Sequence, residues 1–139
     1  MKLKNFEVES IVKIITDPGS FRNDVTVKIP ASIRMALRLN EEKLGSVANA
    51  YAQERAAILN GHIDQGHAKV DGEQIKIEHA FITEINQELT SLAVNENDID
   101  LTTVDKETME AFLATVNLSI PEEDMLRLFI EVKEAENNG

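Results

Sequence analysis

The sequence predicts an α+β fold that is mostly helical: one long helix, three or four shorter helices, and a small β-hairpin or three-stranded antiparallel sheet. Three observations point to it. Residues 31–59 contain no proline and a single glycine, while apolar side chains recur at helical spacing. Asp71-Gly72 lies between the β-prone arms Lys69-Val70 and Ile75-Lys76-Ile77, a strong local hairpin signal. Ser119-Ile120-Pro121-Glu122 has the spacing of a capping box ahead of a further apolar stripe. At 139 residues the chain is about one domain long, and residues 1–139 are read as a single domain.

Taken in order, Asn5 is placed to cap a short helix whose apolar residues Val8, Ile11, Val12 and Ile15 share a face, with Glu7 and Glu9 in its first turn. Asp17-Pro18-Gly19 stops it. Residues 25–29 alternate as a short strand would, and Pro30 then suits a first helical position. On a seven-residue repeat through residues 31–59, Ile33, Leu37, Leu44, Val47, Tyr51 and Ile58 fill six of eight seam positions, with Asn40 and Glu54 the exceptions. Ala36, Ala48, Ala52 and Leu59 widen the seam.

A helix of about 30 residues is about 45 Å long, whereas a domain of this size has a radius of gyration near ~14 Å. The helix is therefore expected to overshoot its own domain. Either it kinks at Gly45, or a second chain covers the surface formed by Leu37, Leu44, Val47, Ala48, Tyr51 and Ile58. Asn60-Gly61 is the expected end. The hairpin needs packing or a third strand, for which residues 99–101 and 25–29 are candidates. Residues 78–92 read as a second substantial helix, with Phe81, Ile85, Leu89 and Leu92 on one stripe, and residues 94–101 as extended or looped. Asp105 caps a segment containing Met109, Phe112, Leu113 and Val116, and Met125, Leu128, Phe129 and Val132 mark a last helix before a frayed tail at 134–139.

Composition narrows function mainly by exclusion. The chain has 14 Lys and Arg against 25 Asp and Glu, a net charge of −11, with no Cys, no Trp, five Phe and one Tyr. The absence of Cys removes disulfide frameworks, thiolate metal sites and cysteine nucleophiles. The negative charge opposes general phosphate-backbone binding, so nucleic acid is an unlikely partner class. No run approaches the roughly 20 apolar residues of a membrane span, and residues 1–6 lack a secretory h-region, so a cytoplasmic protein is expected. The charge is also polarised. Residues 1–60 carry nine basic and seven acidic side chains, whereas residues 61–139 carry five and eighteen. Such asymmetry suits an interaction surface, and equally a set of solvated helix faces.

Catalytic signatures are scarce. His62, Asp64 and His67 flank a Gly-bounded connector and supply the donor types of a divalent metal site, at a spacing that matches no established motif. Residues 95–100 resemble a calcium loop but lack its Gly at the sixth position and its bidentate Glu at the twelfth. There is no phosphate-cradling glycine loop and no nucleophile elbow. No cofactor and no enzymatic activity are expected. Arg34 and Arg38, one helical turn apart with Lys28 and Lys43 nearby, could hold a carboxylate or phosphate, or pair with the chain's own acidic half or with Glu41 and Glu42 on the same helix.

The layout as a whole resembles a family of small proteins of unknown function encoded by tailed phages and prophages of Gram-positive bacteria. The resemblance rests on the opening Met1-Lys2-Leu3-Lys4-Asn5-Phe6, a long helix with Arg34 and Arg38 ahead of Glu42-Lys43-Leu44, and a polar Asp/Gly hairpin. It continues in Phe81-x-x-Glu84 with Glu88-Leu89, in Ile99-Asp100-Leu101, and in Leu118-Ser119-x-Pro121-Glu122-x-x-Met125-x-x-Leu128. The alanine-rich centre of the long helix departs from it. The resemblance implies a phage context and no biochemical activity. Two function classes follow: a structural or assembly-interaction protein that self-associates or docks on another phage protein, or an acidic inhibitor of a basic, nucleic-acid-binding host protein. The expected location is the host cytoplasm or the virion.

Overall fold

A computed structural model describes residues 1–132. Its elements, in order, are β1 (Lys2–Lys4), α1 (Asn5–Thr16), a 3₁₀ turn (Phe21–Asn23), α2 (Ala31–Asp64), β2 (Ala68–Asp71) and β3 (Gln74–Ile77). A second 3₁₀ turn (His79–Phe81) then leads to α3 (Ile82–Ala93), β4 (Glu96–Asp98), α4 (Lys106–Leu113) and α5 (Ile120–Arg127). The fold is the expected mostly helical α+β type. Its strands form two separate antiparallel pairs, β1 with β4 and β2 with β3, rather than one three-stranded sheet.

The β1–β4 pair joins segments far apart in sequence through an antiparallel backbone ladder. Lys2 lies opposite Asp98 and Lys4 opposite Glu96, so each cross-strand pair on that face joins opposite signs. The backbone N–H of Lys4 donates to the Glu7 carboxylate at 2.8 Å, so the cap of α1 is Lys4, one residue before the predicted Asn5. Asn5 does not cap. It is buried, donates to the Leu92 carbonyl at 2.8 Å and accepts from the Asn97 amide at 2.8 Å, tying the start of α1 to the end of α3 and to β4.

Residues 25–29 form no strand. Asp24 takes over locally: its carboxylate accepts from both the backbone N–H and the hydroxyl of Thr26, which hold it below the usual carboxylate range. Val25 is left 98% exposed, while Val27 and Ile29 lean on the core. Upstream, Phe21 is buried with its ring 6.0 Å from that of Phe112, and its N–H donates to Glu122. Glu122 also closes the predicted capping box with Ser119. That one carboxylate thus stabilises the start of α5 and pins the loop after α1. Asp105 caps α4 as expected, but α5 stops at Arg127, leaving Val132 outside it and 85% exposed. Of the tail read at 134–139, nothing falls within the described residues.

α2 runs unbroken for 34 residues, about 51 Å at 1.5 Å per residue. It continues as unbroken helix through Gly45 and past Asn60-Gly61. One helical glycine costs only about 1 kcal/mol, which flanking packing at Leu44 and Val47 overcomes. The helix ends instead at Gly66, whose φ of +81° is the left-handed conformation glycine tolerates. There His67 N–H reaches the His62 carbonyl at 2.8 Å and Gly66 N–H the Ile63 carbonyl at 3.0 Å, the paired bonds of a Schellman motif. In the hairpin, Gly72 carries the only positive φ of the turn, +66°, so Gly72-Glu73 forms a type II′ connection.

The apolar seam of α2 faces this chain's own core. Ile33, Leu37 and Leu44 are fully buried and Tyr51 nearly so, in or beside a cluster that includes Val8, Ile11 and Ile15 of α1, and Met109, Phe112 and Phe129. Val47 and Ala48 pack against its margin, and Ile58 is half-buried. The interaction surface predicted at Leu37, Leu44, Val47, Ala48, Tyr51 and Ile58 is corrected accordingly: its inner members are covered by α1 and by the segment after β4. Asn40, the first seam exception, is fully buried because it bonds the Thr102 backbone from both ends, donating to its carbonyl at 2.9 Å and accepting from its N–H at 2.7 Å.

Arg55 locks α2 onto α1, with a 2.9 Å ion pair to Glu9 and its guanidinium over the Tyr51 ring. The hydrogen bond from Arg55 is the main reason the Glu9 carboxyl titrates below its ordinary range. A depressed folded pKa contributes stability above the unfolded value and loses it as pH falls through the folded one. Both side chains are partly solvated, so Glu9→Gln should cost only about 0.5 kcal/mol at neutral pH. Urea melts should show that difference vanishing below the folded pKa.

Candidate functional site

The five arginines of the chain separate into two groups by their partners. Arg55 pairs with Glu9, Arg127 with Glu110 and Glu123, and Arg22 with Glu41 at 2.7 Å. Glu123 first, then Glu110, push the Arg127 guanidinium pKa upward. Arg34 and Arg38 are exposed and make no ion pair or hydrogen bond among the described residues. The predicted alternative, pairing with Glu41 or Glu42, does not form: Glu41 is taken by Arg22, which the loop after α1 carries back against α2.

Local chain geometry explains why Arg22 is there. Ser20 caps the Phe21–Asn23 turn by accepting from Arg22 N–H, and Phe21 is anchored inward, so Arg22 points along α2 and its Nη1 donates to Glu41 and, at 3.5 Å, to the Ile15 carbonyl. The result is a cleft of about 430 Å³ lined by Arg22, Arg34, Arg38 and Glu41 together with Ile15, Ile29 and Leu37. On the outer side of the same helical stretch, Arg34 and Arg38 flank Met35 and Leu39, which are 63% and 37% exposed. Together with Ala31 these line a shallow groove of about 510 Å³.

Sequence reading found Arg34 and Arg38 but missed Arg22, Met35 and Leu39. A signal for the last two was present: they are large apolar residues off the seven-residue seam, one turn apart and adjacent to the arginines. Arg22 had no comparable signal, because a loop of irregular backbone brings it in.

The histidine connector is corrected. His62 is buried, with Nδ1 at 2.9 Å from Nδ1 of His67 and Nε2 at 3.0 Å from the Glu88 carboxylate. His67 stacks flat on Phe81, ring centroids 3.7 Å apart. The Schellman motif causes this meeting, since its 6→1 hydrogen bond sets the first and sixth residues of the motif, five positions apart, side by side. One Nδ1 donates to the other, and both ring nitrogens of His62 are thereby engaged within the chain. Asp64 does not join them, and no group of three or more His, Cys, Asp or Glu among the described residues is placed to hold a metal ion. Glu88 and Phe81 lie on an element beyond the hairpin and could not be assigned to this cluster from spacing.

Among the described residues no helix is long and apolar enough to cross a membrane. Compared with family models, with curated proteins and with solved structures, the chain matches none.

Proposed function

We propose that this is a non-catalytic, phage-encoded assembly-interaction protein that seats a structural partner, another phage protein or a second copy, on the outer face of the first half of α2. The observation that carries the reading is the exposed Met35 and Leu39 between two arginines without partners among the described residues. Every seam residue of this half is buried, so these apolar side chains are not surplus from the core. Apolar groups framed by guanidiniums are the composition of interface hot spots, where arginine is enriched and its planar fork pairs with carboxylates. The resemblance in layout supplies the phage context, with action in the host cytoplasm or retention in the virion.

The test is affinity capture from cells producing phage particles, read by mass spectrometry. Wild-type protein should recover a virion or assembly protein, and the Met35→Asp/Leu39→Asp double variant should recover at least about tenfold less while keeping its fold, because both sites are exposed. Equal recovery by the variant removes this face from the interaction.

A second reading is favoured by the exposure of Asp64, Asp71, Glu73, Glu78, Glu84, Glu96, Asp98 and Asp100. Such a surface suits an acidic inhibitor of a basic host protein. In that case capture yields host nucleic-acid-binding proteins, falls steeply with salt, and is indifferent to the Met35/Leu39 substitutions.

A further inference from the structure

We propose that the cleft between the end of α1, the Phe21–Asn23 turn and the first half of α2 is a binding site for a phosphate monoester dianion, held by Arg22, Arg34 and Arg38. The first argument is electrostatic. In a chain with 25 carboxylates and five arginines, three of those arginines line this one cleft and Glu41 is the one carboxylate lining it. Three guanidiniums against one carboxylate leave two uncompensated positive charges. A single carboxylate ligand neutralises one of them. A phosphate monoester, at about −1.5 to −2 near neutral pH, neutralises both.

The second argument is geometric. Arg34 and Arg38 are one turn apart on α2, on neighbouring positions of one helix face, and both line the cleft. Arg22 is already oriented, because Nη1 is engaged with Glu41 and the Ile15 carbonyl. Among the described residues its Nε and Nη2 have no other partner, and these N–H groups remain for a ligand. Planar forks of this kind match phosphate oxygens in pairs, which ammonium groups cannot do.

The third argument concerns the rest of the ligand. Of the apolar residues lining the cleft, Ile15 and Leu37 are fully buried, and half-buried Ile29 is the one that offers carbon surface to the organic portion of a monoester. Its volume of about 430 Å³ falls in the range of small-molecule sites. A nucleic-acid backbone is disfavoured: its extended run of phosphates would face the −11 net charge beyond the cleft, while a compact dianion meets only the local positive field.

The site shares Arg34 and Arg38 with the docking face, but its test is separate, because it uses the isolated chain with small anions. ¹H–¹⁵N spectra of the arginine Nε groups are followed while inorganic phosphate, phenyl phosphate or benzoate is added. Saturable shifts at Arg22, Arg34 and Arg38, with Arg127 unmoved, are the expected result for both phosphates. Tighter binding of phenyl phosphate assigns the site to an organic monoester, and equal affinity assigns it to the phosphate group alone. Affinity for phenyl phosphate should drop about tenfold from pH 7.5 to pH 5, where about a tenth of a monoester with a second pKa of about 6 remains dianionic. The Arg34→Gln/Arg38→Gln variant should keep its melting temperature and lose at least about tenfold in affinity. Benzoate binding as tightly as phosphate, an unchanged affinity in that variant, or equal shifts at Arg127 overturns the proposal.

Discussion

Leu44→Asp is expected to unfold the chain rather than to dissociate an assembly. Leu44 is fully buried within the cluster that holds Leu37 and Ile33 of the same helix, Ile11 and Ile15 of α1, and Phe129. Truncating such a leucine to alanine costs about 2–5 kcal/mol, and an unpaired carboxylate in its place adds several more through lost solvation. Against a typical total stability of about 5–15 kcal/mol, the aspartate variant should lose its cooperative thermal transition by circular dichroism, while Leu44→Ala keeps one at lower temperature. A folded Leu44→Asp protein with altered mass in light scattering would instead place this residue at a contact between chains.

Asn40→Ala should destabilise the protein by about 2–4 kcal/mol, because it leaves the N–H and the carbonyl of Thr102 without the bonds that replace water there. The size is set by the two-ended contact, at 2.9 and 2.7 Å, from a side chain with no exposure of its own. Asn40→Asp separates the two ends. The carboxylate still accepts from Thr102 N–H but repels the Thr102 carbonyl, so its deficit should shrink at low pH, where a neutral carboxyl can donate again. Urea melts at neutral and acidic pH measure the difference. Hydrogen exchange at the Thr102 amide should accelerate in Asn40→Ala well beyond amides of the β2–β3 hairpin, and a uniform acceleration would mean that the contact has no local role.

Asn40 also shows why a pattern can be read correctly and its meaning missed. The seven-residue repeat identified which face of α2 is apolar, and the burial of Ile33, Leu37, Leu44 and Tyr51 agrees with it. Periodicity says that a face is covered, not by what. A short α1, the segment after β4 and the helices near the end of the chain cover it together, and that depends on contacts between residues tens of positions apart. The predicted overshoot took the helix length correctly and assumed that nothing local lies alongside it. Beyond Tyr51 the second exception, Glu54, is exposed, while Ile58 is half-buried and His62 buried where α3 and β2 meet the end of α2.

Local rules held where the deciding atoms are within a few residues of each other. Asp105 and Ser119 cap as their spacing requires, and Asp71-Gly72 marks the hairpin. They failed where two local signals competed. Gly61 has the composition of a helix stop but remains helical, while Gly66 takes the left-handed conformation and brings His67 onto His62. Residues 25–29 alternate like a strand, yet no neighbouring edge is offered and Asp24 turns the backbone instead.

By itself the sequence determined the mostly helical α+β class, the long helix, its apolar stripe, the hairpin, and the excess of carboxylates after residue 60, because each is a matter of spacing or count. The tertiary structure alone decided that the stripe faces inward, that the histidines bond each other, and that Arg22 joins Arg34 and Arg38 at one cleft. Those outcomes turn on which distant segment reaches a given surface first. A burial pattern is the same whether the cover comes from this chain or another, and only the packed fold distinguishes the two.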